Sequence, residues 1–419
     1  MLRLSKGRRV AGAIKASPED FVVNEITQNG TVLSQKEHSF EELGLKGGSG
    51  GFAVFVMRKR NWNTIQALKE AARACGKGAG SIGFAGTKDR AAVTTQLCSI
   101  FGAQPERVAA LHIKDIEILG AWKSSSGVRL GELLGNRFEI SIRAAEPDAA
   151  GLASALNGEL GGLFPNYYGE QRFGSRNSNV QIGLHMLKGE LEDAAMLFLA
   201  SAENEELEES ISARRRLAEE GNFAKALEYF PRYLKYERTM LASLSTAPTD
   251  FAKAFRSLPR QLLLMFVHSV ESHIFNMALE ERIRSGDTTP RHGSMCCTAN
   301  FYGFPDISRI GQYDPSKKEQ QFELGNIIGY TTSSSSISDF ERGELEKLGI
   351  SAEDFRVRRI PEANSKGAYR PLFAPYRDYV QRMDESALRL GFSLPAGSYA
   401  TSLLNEFVDR ASGNQDNEM

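Results

Sequence analysis

The feature that most constrains this chain is a change of hydrophobic period partway along it. Arg137–Arg143 (RFEISIR) sets Phe138, Ile140 and Ile142 against polar neighbours at every second position, the pattern of a strand with one buried face. Asp20–Ile26 and Phe52–Met57 are rich in β-forming residues, Ile82–Ala85 reads as extended, and Thr64–Ala74 reads as helical. The first 145 residues are therefore expected to be α+β. From about Gln181 to Arg284 the apolar residues recur at helical spacing, with runs such as Leu262–Val267 between charged flanks, so a mostly helical second unit is expected. A length of 419 residues also exceeds what one hydrophobic core usually organises. Beyond the helical stretch lies a segment rich in Gly and Ser, including Ser333–Ser336, and Phe392–Phe407 returns to core-like sequence.

Composition excludes several classes. With 41% hydrophobic and 25% charged residues the chain has neither disordered nor membrane character. Met1–Val10 is polar and basic with no apolar run behind it, and no stretch approaches the roughly 18 apolar residues of a spanning helix. A cytoplasmic location with no membrane partner is expected. Cys75, Cys98, Cys296 and Cys297 contain no CxxC pair, and the six histidines contain no HxxxH pattern, so no metal is expected. A net charge of −1 argues against wholesale coating of nucleic acid, which rests on Lys and Arg. Residues 51 to 100 are biased, however: Arg58, Lys59, Arg60, Lys69, Arg73, Lys77, Lys88 and Arg90 face only Glu70 and Asp89, which makes this region a candidate phosphate-facing surface. The acidic run Glu203, Glu205, Glu206, Glu208 and Glu209 reads as a solvated helix face.

Two glycine motifs carry little. Gly78, Gly80 and Gly83 match GxGxxG formally, yet a helix precedes them and an extended segment comes after, the reverse of a dinucleotide fingerprint. Gly47–Gly51 (GGSGG) lacks the ending of a phosphate loop and reads as a flexible turn. Gly83–Gln96 (GFAGTKDRAAVTTQ) differs in kind, because an apolar run delivers the acid Asp89 between Lys88 and Arg90. From that tripeptide alone a salt-bridged surface turn is the commoner outcome. The small and hydroxyl-bearing neighbours Gly86, Thr87, Thr94, Thr95 and Gln96 instead suit a pocket wall that handles a sugar or a base.

Gly86–Gln96 (GTKDRAAVTTQ) resembles the catalytic stretch of the TruD pseudouridine synthase family, which carries its essential aspartate in a GxKDxxAxTxQ setting. Lys15–Val23 (KASPEDFVV), Leu130–Phe138 (LGELLGNRF), Asn166–Gly174 (NYYGEQRFG) and Leu394–Leu403 (LPAGSYATSL) are similar to the family's other motifs, in the same order across nearly the whole chain. The resemblance implies an α+β pseudouridine synthase-like catalytic domain, with a mixed sheet, interrupted by a largely helical inserted TRUD-type domain. The expected divisions are residues 1–174 and 371–419 for the catalytic domain and 175–370 for the insert. It implies isomerisation of a tRNA uridine, at position 13, with Asp89 as the catalytic carboxylate, tRNA as partner and no obligate protein partner. The reaction gains no group and changes no redox state, so no cofactor is demanded.

For either role open to Asp89, nucleophile or base toward the sugar, a nearby cation favours the ionised form. In extended structure Lys88 and Arg90 would point away from it, so Lys15, which matches a lysine of the family's first motif, is the expected partner, with Lys88 and Arg90 left for phosphates. Phe138 is the candidate platform for the extruded base, against the simpler reading of strand core. Asn136 would shape the turn before that strand or touch substrate. Tyr167, Tyr168, Gln171 and Arg172 combine stacking surface with polar reach, and a buried junction between domains would use the same residues. The chain departs from the family in two places: Lys123 is followed by Ser124, Ser125, Ser126 and Gly127 where a more basic run is usual, and Asn405 precedes Glu406 where an arginine is frequent. Two rival readings stand beside the isomerase, an RNA nucleosidase, which needs a second placed carboxylate such as Glu25, and a non-catalytic RNA-binding protein.

Overall fold

The computed structural model describes residues 1–45, 47–286, 288–384 and 387–410. Its largest sheet has eight strands. Seven run in the spatial order Arg377–Asp384, Ala387–Pro395, Gly135–Arg143, Phe21–Ile26, Val93–Phe101, Gly47–Arg60 and Ile116–Ser124, and Ile82–Phe84 adds to Val93–Phe101. Every pairing in this sheet is antiparallel except the one at its centre, where Phe21–Ile26 and Val93–Phe101 run parallel with Val22 beside Val93 and Asn24 beside Thr95.

Register explains how one face of this sheet is used. Lys59, Thr94, Val23, Phe138 and Phe392 align across five strands, and aligned residues share a face. On that face Phe21, Val23, Phe138, Ile140 and Phe392 form a core with the helices Ala149–Leu160 and Ala400–Phe407. Farther along it, Phe55, Met57, Cys98 and Ile100 pack against Ala67, Leu68, Ala71 and Ala72 of the helix Thr64–Ala74. That helix starts where it does because the Asn63 side chain accepts from the amides of Ile65 and Gln66, satisfying donors that have no partner within the helix. Between the two cores runs a buried polar stripe of Glu25, Lys59, Thr94 and Gln96.

The helix-rich part of the chain has its own core. Helices from Asn179–Lys188 to Arg260–Arg284 pack around a cluster that runs from Ile182 to Ala363. Arg260–Arg284 is long and apolar enough, by length and composition, to cross a membrane, contrary to the expectation from sequence; 56% of its most apolar window is buried within the protein. A four-stranded antiparallel sheet, in the order Pro305–Gln312, Met295–Ala299, Gln321–Ile327 and Ala368–Pro371, lies in the region read from sequence as a Gly- and Ser-rich stretch. The edge strand Pro305–Gln312 is mostly exposed and Gln321–Ile327 is almost wholly buried, so no alternation marks either. Gly47–Gly51 also departs from expectation. It opens the strand Gly47–Arg60 and bulges, because Gly47 and Phe52 both align with Ser124. Gly50, at φ +129°, lies where a Cβ would sit 2.4 Å from the Ser124 carbonyl oxygen, so glycine alone suits the bulge.

The chain passes between the two cores at adjacent points. Leu163–Pro165 pairs antiparallel with Phe373–Pro375. Beside them the buried Asn166 donates from its backbone to Leu372 O (2.9 Å) and from Nδ2 to Pro371 O (3.0 Å), and its Oδ1 accepts from Arg370 Nη2 (2.8 Å) and Ser398 Oγ (2.9 Å). At the other end of the chain, Glu406 is 1% exposed and holds the amino-terminal segment by accepting from Leu4 N, Ser5 N and Ser5 Oγ.

The helical body depends on one close approach. A Cβ on Gly183 would lie 2.3 Å from Phe266 O and 2.7 Å from Val270 Cγ2 of the long helix. Gly183→Ala is expected to lower unfolding stability by about 1–3 kcal/mol, the usual cost of overpacking, in a chemical denaturation experiment. An unchanged midpoint would show that the two helices are not held this tightly.

Candidate active site

Asp89 lies in the loop between the strands Ile82–Phe84 and Val93–Phe101. The parallel central pair brings the segment before Phe21 and the segment before Val93 to the same end of the sheet. Lys15 comes from the first and Asp89 from the second, and Lys15 Nζ stands 3.3 Å from Asp89 Oδ2. The lysine is 10% exposed and the aspartate 35% exposed, so the carboxylate is open to a ligand while its cation is largely covered. Lys15 Nζ also lies 4.7 Å from the centre of the Phe21 ring.

The approach of Lys15 is fixed by its own backbone and by the turn that leads into the strand. The residue adopts φ 57°, a left-handed conformation that costs a non-glycine residue roughly 1 kcal/mol. Ser17 N then donates to Asp20 Oδ2 (2.8 Å), and the buried Asp20 carboxylate receives Arg143 Nε at 2.8 Å. This anchored turn begins the strand Phe21–Ile26.

The Asp89 loop is pinned through its backbone at three points. Gln96 Nε2 donates to Gly86 O (3.1 Å), Lys88 N donates to Thr64 Oγ1 (3.0 Å), and Lys59 Nζ donates to Asp89 O (2.8 Å). Lys59 is fully buried, and burial pushes its ammonium down to about 8, with attraction to Asp89 opposing and repulsion from Lys88 adding to the shift. Sequence reading places Lys59 only among the surface bases. Its position alternating with Phe55 and Met57 is the available sign that it faces inward.

Lys88 does not face solvent as expected. Its Nζ lies 2.8 Å from Glu25 Oε2, with the two side chains 4% and 1% exposed, and Glu25 Oε1 accepts from Leu97 N (3.2 Å). The ion pair with Glu25 offsets the cost of burying the Lys88 charge. Arg90 is exposed. The wider basic surface also shrinks, since Arg58, Arg60 and Arg73 pair with Glu117, Glu19 and Glu70.

Phe138 is 6% exposed, edge-on to Phe21 at 6.0 Å and stacked with Phe392 at 5.5 Å. Asn136, opposite Glu25 in the next strand, has a buried Oδ1 without a hydrogen-bond partner, as does Thr94 Oγ1. Each such atom costs on the order of 1–3 kcal/mol until something bonds it.

Asn166–Gly174 is divided. Tyr167 is core, 2% exposed. Tyr168 exchanges backbone hydrogen bonds with the Asn276 side chain, and the guanidinium groups of Arg370 and Arg172 lie 4.2 and 5.1 Å from its ring centre. Gln171 is exposed. Tyr168 and Arg172 line a cleft of about 830 Å³ that has the long helix Arg260–Arg284 on one side and the Gly131–Leu134 loop on another. Asp89, Lys15 and Phe138 are not among its lining residues, but Gly131 N donates to Ala85 O (2.8 Å) at the root of the Asp89 loop. Two titratable groups of the long helix line the cleft, and sequence reading singles out neither as functional. Burial raises the Glu271 carboxyl to about 7 against a hydrogen bond from Ser365 and the charge of Arg172, and burial with Arg172 and Arg260 lowers His268 to about 4.

Comparison with known proteins gives this architecture its class. The chain superposes with a TM-score of 0.75 on the crystal structure of the "Putative tRNA pseudouridine synthase D (TruD)" from Methanosarcina mazei, at 31% identity and covering 97% of this chain and 95% of that one. The fold is thus the α+β fold of that protein. The family model for TruD, tRNA pseudouridine synthase D, matches residues 2–407. A Methanococcoides burtonii relative named "Probable tRNA pseudouridine synthase D" is 32% identical over 433 residues, covering 97% of this chain and 95% of its own length. Another of the same name from Methanopyrus kandleri is 35% identical over 365 residues, 86% of each. The chain belongs to the TruD family.

Lys59 yields a prediction with a definite sign. Its native pKa of about 8 lies below the ordinary 10.5, so between those values the unfolded chain binds a proton that the native protein does not, and stability from this group rises with pH. Measured against Lys59→Met by denaturation at pH 7 to 10, wild type is expected to gain in relative stability as pH rises through 8. A constant difference would mean that Lys59 is not buried as a strained cation.

Proposed function

We propose that this chain isomerises one uridine of tRNA, at position 13, to pseudouridine, with Asp89 as the carboxylate that acts on the sugar and Lys15 as the group that positions it. The observation that carries this reading is the Lys15–Asp89 pair at 3.3 Å, whose carboxylate remains partly open while its lysine is covered. In the reaction the C1′–N1 bond breaks, the base turns, and a C1′–C5 bond forms. N1 gains a proton and C5 loses one, so product and substrate are isomers. Asp89 either attacks the sugar or removes a proton from it. Lys59, holding the Asp89 carbonyl oxygen, keeps the loop from retreating when the RNA arrives.

The extruded uridine needs polar partners and a face to lie against. The unbonded Asn136 Oδ1 and Thr94 Oγ1 share the sheet face with Phe138 and suit the first need. Phe138, packed between Phe21 and Phe392, offers at most a ring edge in the unliganded protein. Arg90, exposed one residue beyond Asp89, suits a phosphate, and Tyr168, Gln171 and Arg172 belong to the cleft side, where the RNA backbone would continue. The nucleosidase alternative needs a second carboxylate free to activate water; Glu25 is engaged by Lys88 and by the Leu97 amide.

The test is incubation with an unmodified tRNA transcript followed by carbodiimide mapping. Wild type is expected to give pseudouridine, and Asp89→Ala to run at below about 1% of that rate, within the range of a lost acid–base or nucleophilic group. Binding of tRNA by Asp89→Ala should be retained or tightened, since a negative charge facing phosphates is removed. Lys15→Met should slow wild type about tenfold or more, yet leave the Asp89→Ala rate unchanged, because a positioning residue has no effect once the group it positions is gone. Release of free uracil would favour the nucleosidase, and full activity in Asp89→Ala would refute the assignment.

A further inference from the structure

The cleft beside the Asp89 loop contains a group that the isomerisation does not use. Glu271, on the long helix Arg260–Arg284, is 3% exposed and lines the cleft, and its Oε1 has no hydrogen-bond partner. The Ser365 hydroxyl donates to the carboxyl group. A buried carboxyl oxygen left bare at the wall of an open cleft is poised for a donor from outside the protein. His268 and Ser272 extend the same wall, and Arg172, Lys366 and Arg370 bring cationic side chains to the cleft, Arg370 being held by Asn166 and by the Tyr168 ring. Leu134, Ile327 and Pro395 add apolar surface. Apolar walls with a few convergent polar groups, at a volume of about 830 Å³, are what a nucleotide-sized ligand requires.

The position of the cleft indicates which ligand. One of its walls is the Gly131–Leu134 loop, tied by the Gly131 amide to Ala85, four residues before Asp89. A strand whose uridine is held at Asp89 therefore has this wall beside it. Among RNA bases, adenine, cytosine and guanine can point an exocyclic amino group at a carboxyl oxygen. Uracil carries no exocyclic amino group, and its ring N3–H is flanked by two carbonyl oxygens that the carboxyl oxygens would repel. Resting on the isomerase reading, we propose that this cleft binds a second nucleobase of the same tRNA, one bearing an exocyclic amino group that donates to Glu271 Oε1, with Arg172 and Lys366 meeting the neighbouring phosphates. The cleft is then a specificity site, and it selects substrates by a nucleotide other than the one modified.

A competition experiment tests this. Transcripts randomised at the nucleotides flanking the target uridine are treated with enzyme, and pseudouridine-bearing molecules are identified by carbodiimide mapping and sequencing. Wild type is expected to favour amino-bearing bases over uracil by about tenfold or more at one position, as expected when a buried polar group is left unpaired by the wrong ligand. Glu271→Leu should flatten that preference, and Glu271→Gln, which keeps an acceptor oxygen, should retain it. Replacing the favoured base by its analogue without the amino group should cost wild type the same factor, a result that does not depend on any variant folding. Pseudouridine formed with no base preference, or with a preference unchanged in Glu271→Leu, overturns the specificity site and leaves the isomerase standing. A pool with no pseudouridine at all overturns both.

Discussion

The parallel pairing of Phe21–Ile26 with Val93–Phe101 is the constraint on which the site depends. In an otherwise antiparallel sheet, two neighbouring strands that run the same way deliver the segments preceding them to one edge. Those segments carry Lys15 and Asp89, far apart in sequence and 3.3 Å apart in space. A one-residue slip between these strands would reverse the faces of Phe21, Val23 and Glu25 relative to Thr94 and Gln96. The aromatic packing of Phe21, Phe138 and Phe392 opposes such a slip, so the core that stabilises the sheet also sets the spacing of the charged groups.

The polar stripe between the two cores does a second job. Glu25, Lys59, Thr94 and Gln96 occupy positions where apolar residues would pack more cheaply, and breaking a buried ion pair such as Lys88–Glu25 costs on the order of 3–5 kcal/mol. Their contacts converge on the Asp89 loop: Lys59 and Gln96 hold its backbone oxygens, and Glu25 holds the Lys88 side chain. A loop fixed from below in this way can present an open carboxylate without losing its position. Such preorganisation is what catalysis by a single acidic group needs.

Much of this is legible in the sequence, for identifiable reasons. Arg137–Arg143 alternates because one face is core, and the strand Gly135–Arg143 contains it; Thr64–Ala74 carries a helical stripe and forms a helix over those residues. The sheet built from residues 295–327 and 368–371 is hidden because its strand Pro305–Gln312 is mostly exposed and Gln321–Ile327 is almost wholly buried, so neither alternates. Lys88 is misplaced by sequence reading because two adjacent bases around an acid look alike, and only the fold shows that one of them meets Glu25. Glu271 cannot be singled out from an apolar helical run with charged flanks, since its significance lies in the cleft formed with distant segments.

The central claim is that the uridine to be modified sits against the Asp89 side chain at the end of the parallel pair. The most direct measurement is a structure of the Asp89→Asn protein bound to unmodified tRNA, where the reaction is blocked and the substrate is retained. The account predicts one uridine extruded from the RNA, its C1′ in van der Waals contact with the side chain at position 89 and its base within reach of Asn136. A uridine held elsewhere, or an RNA path that leaves residue 89 facing solvent, would contradict it.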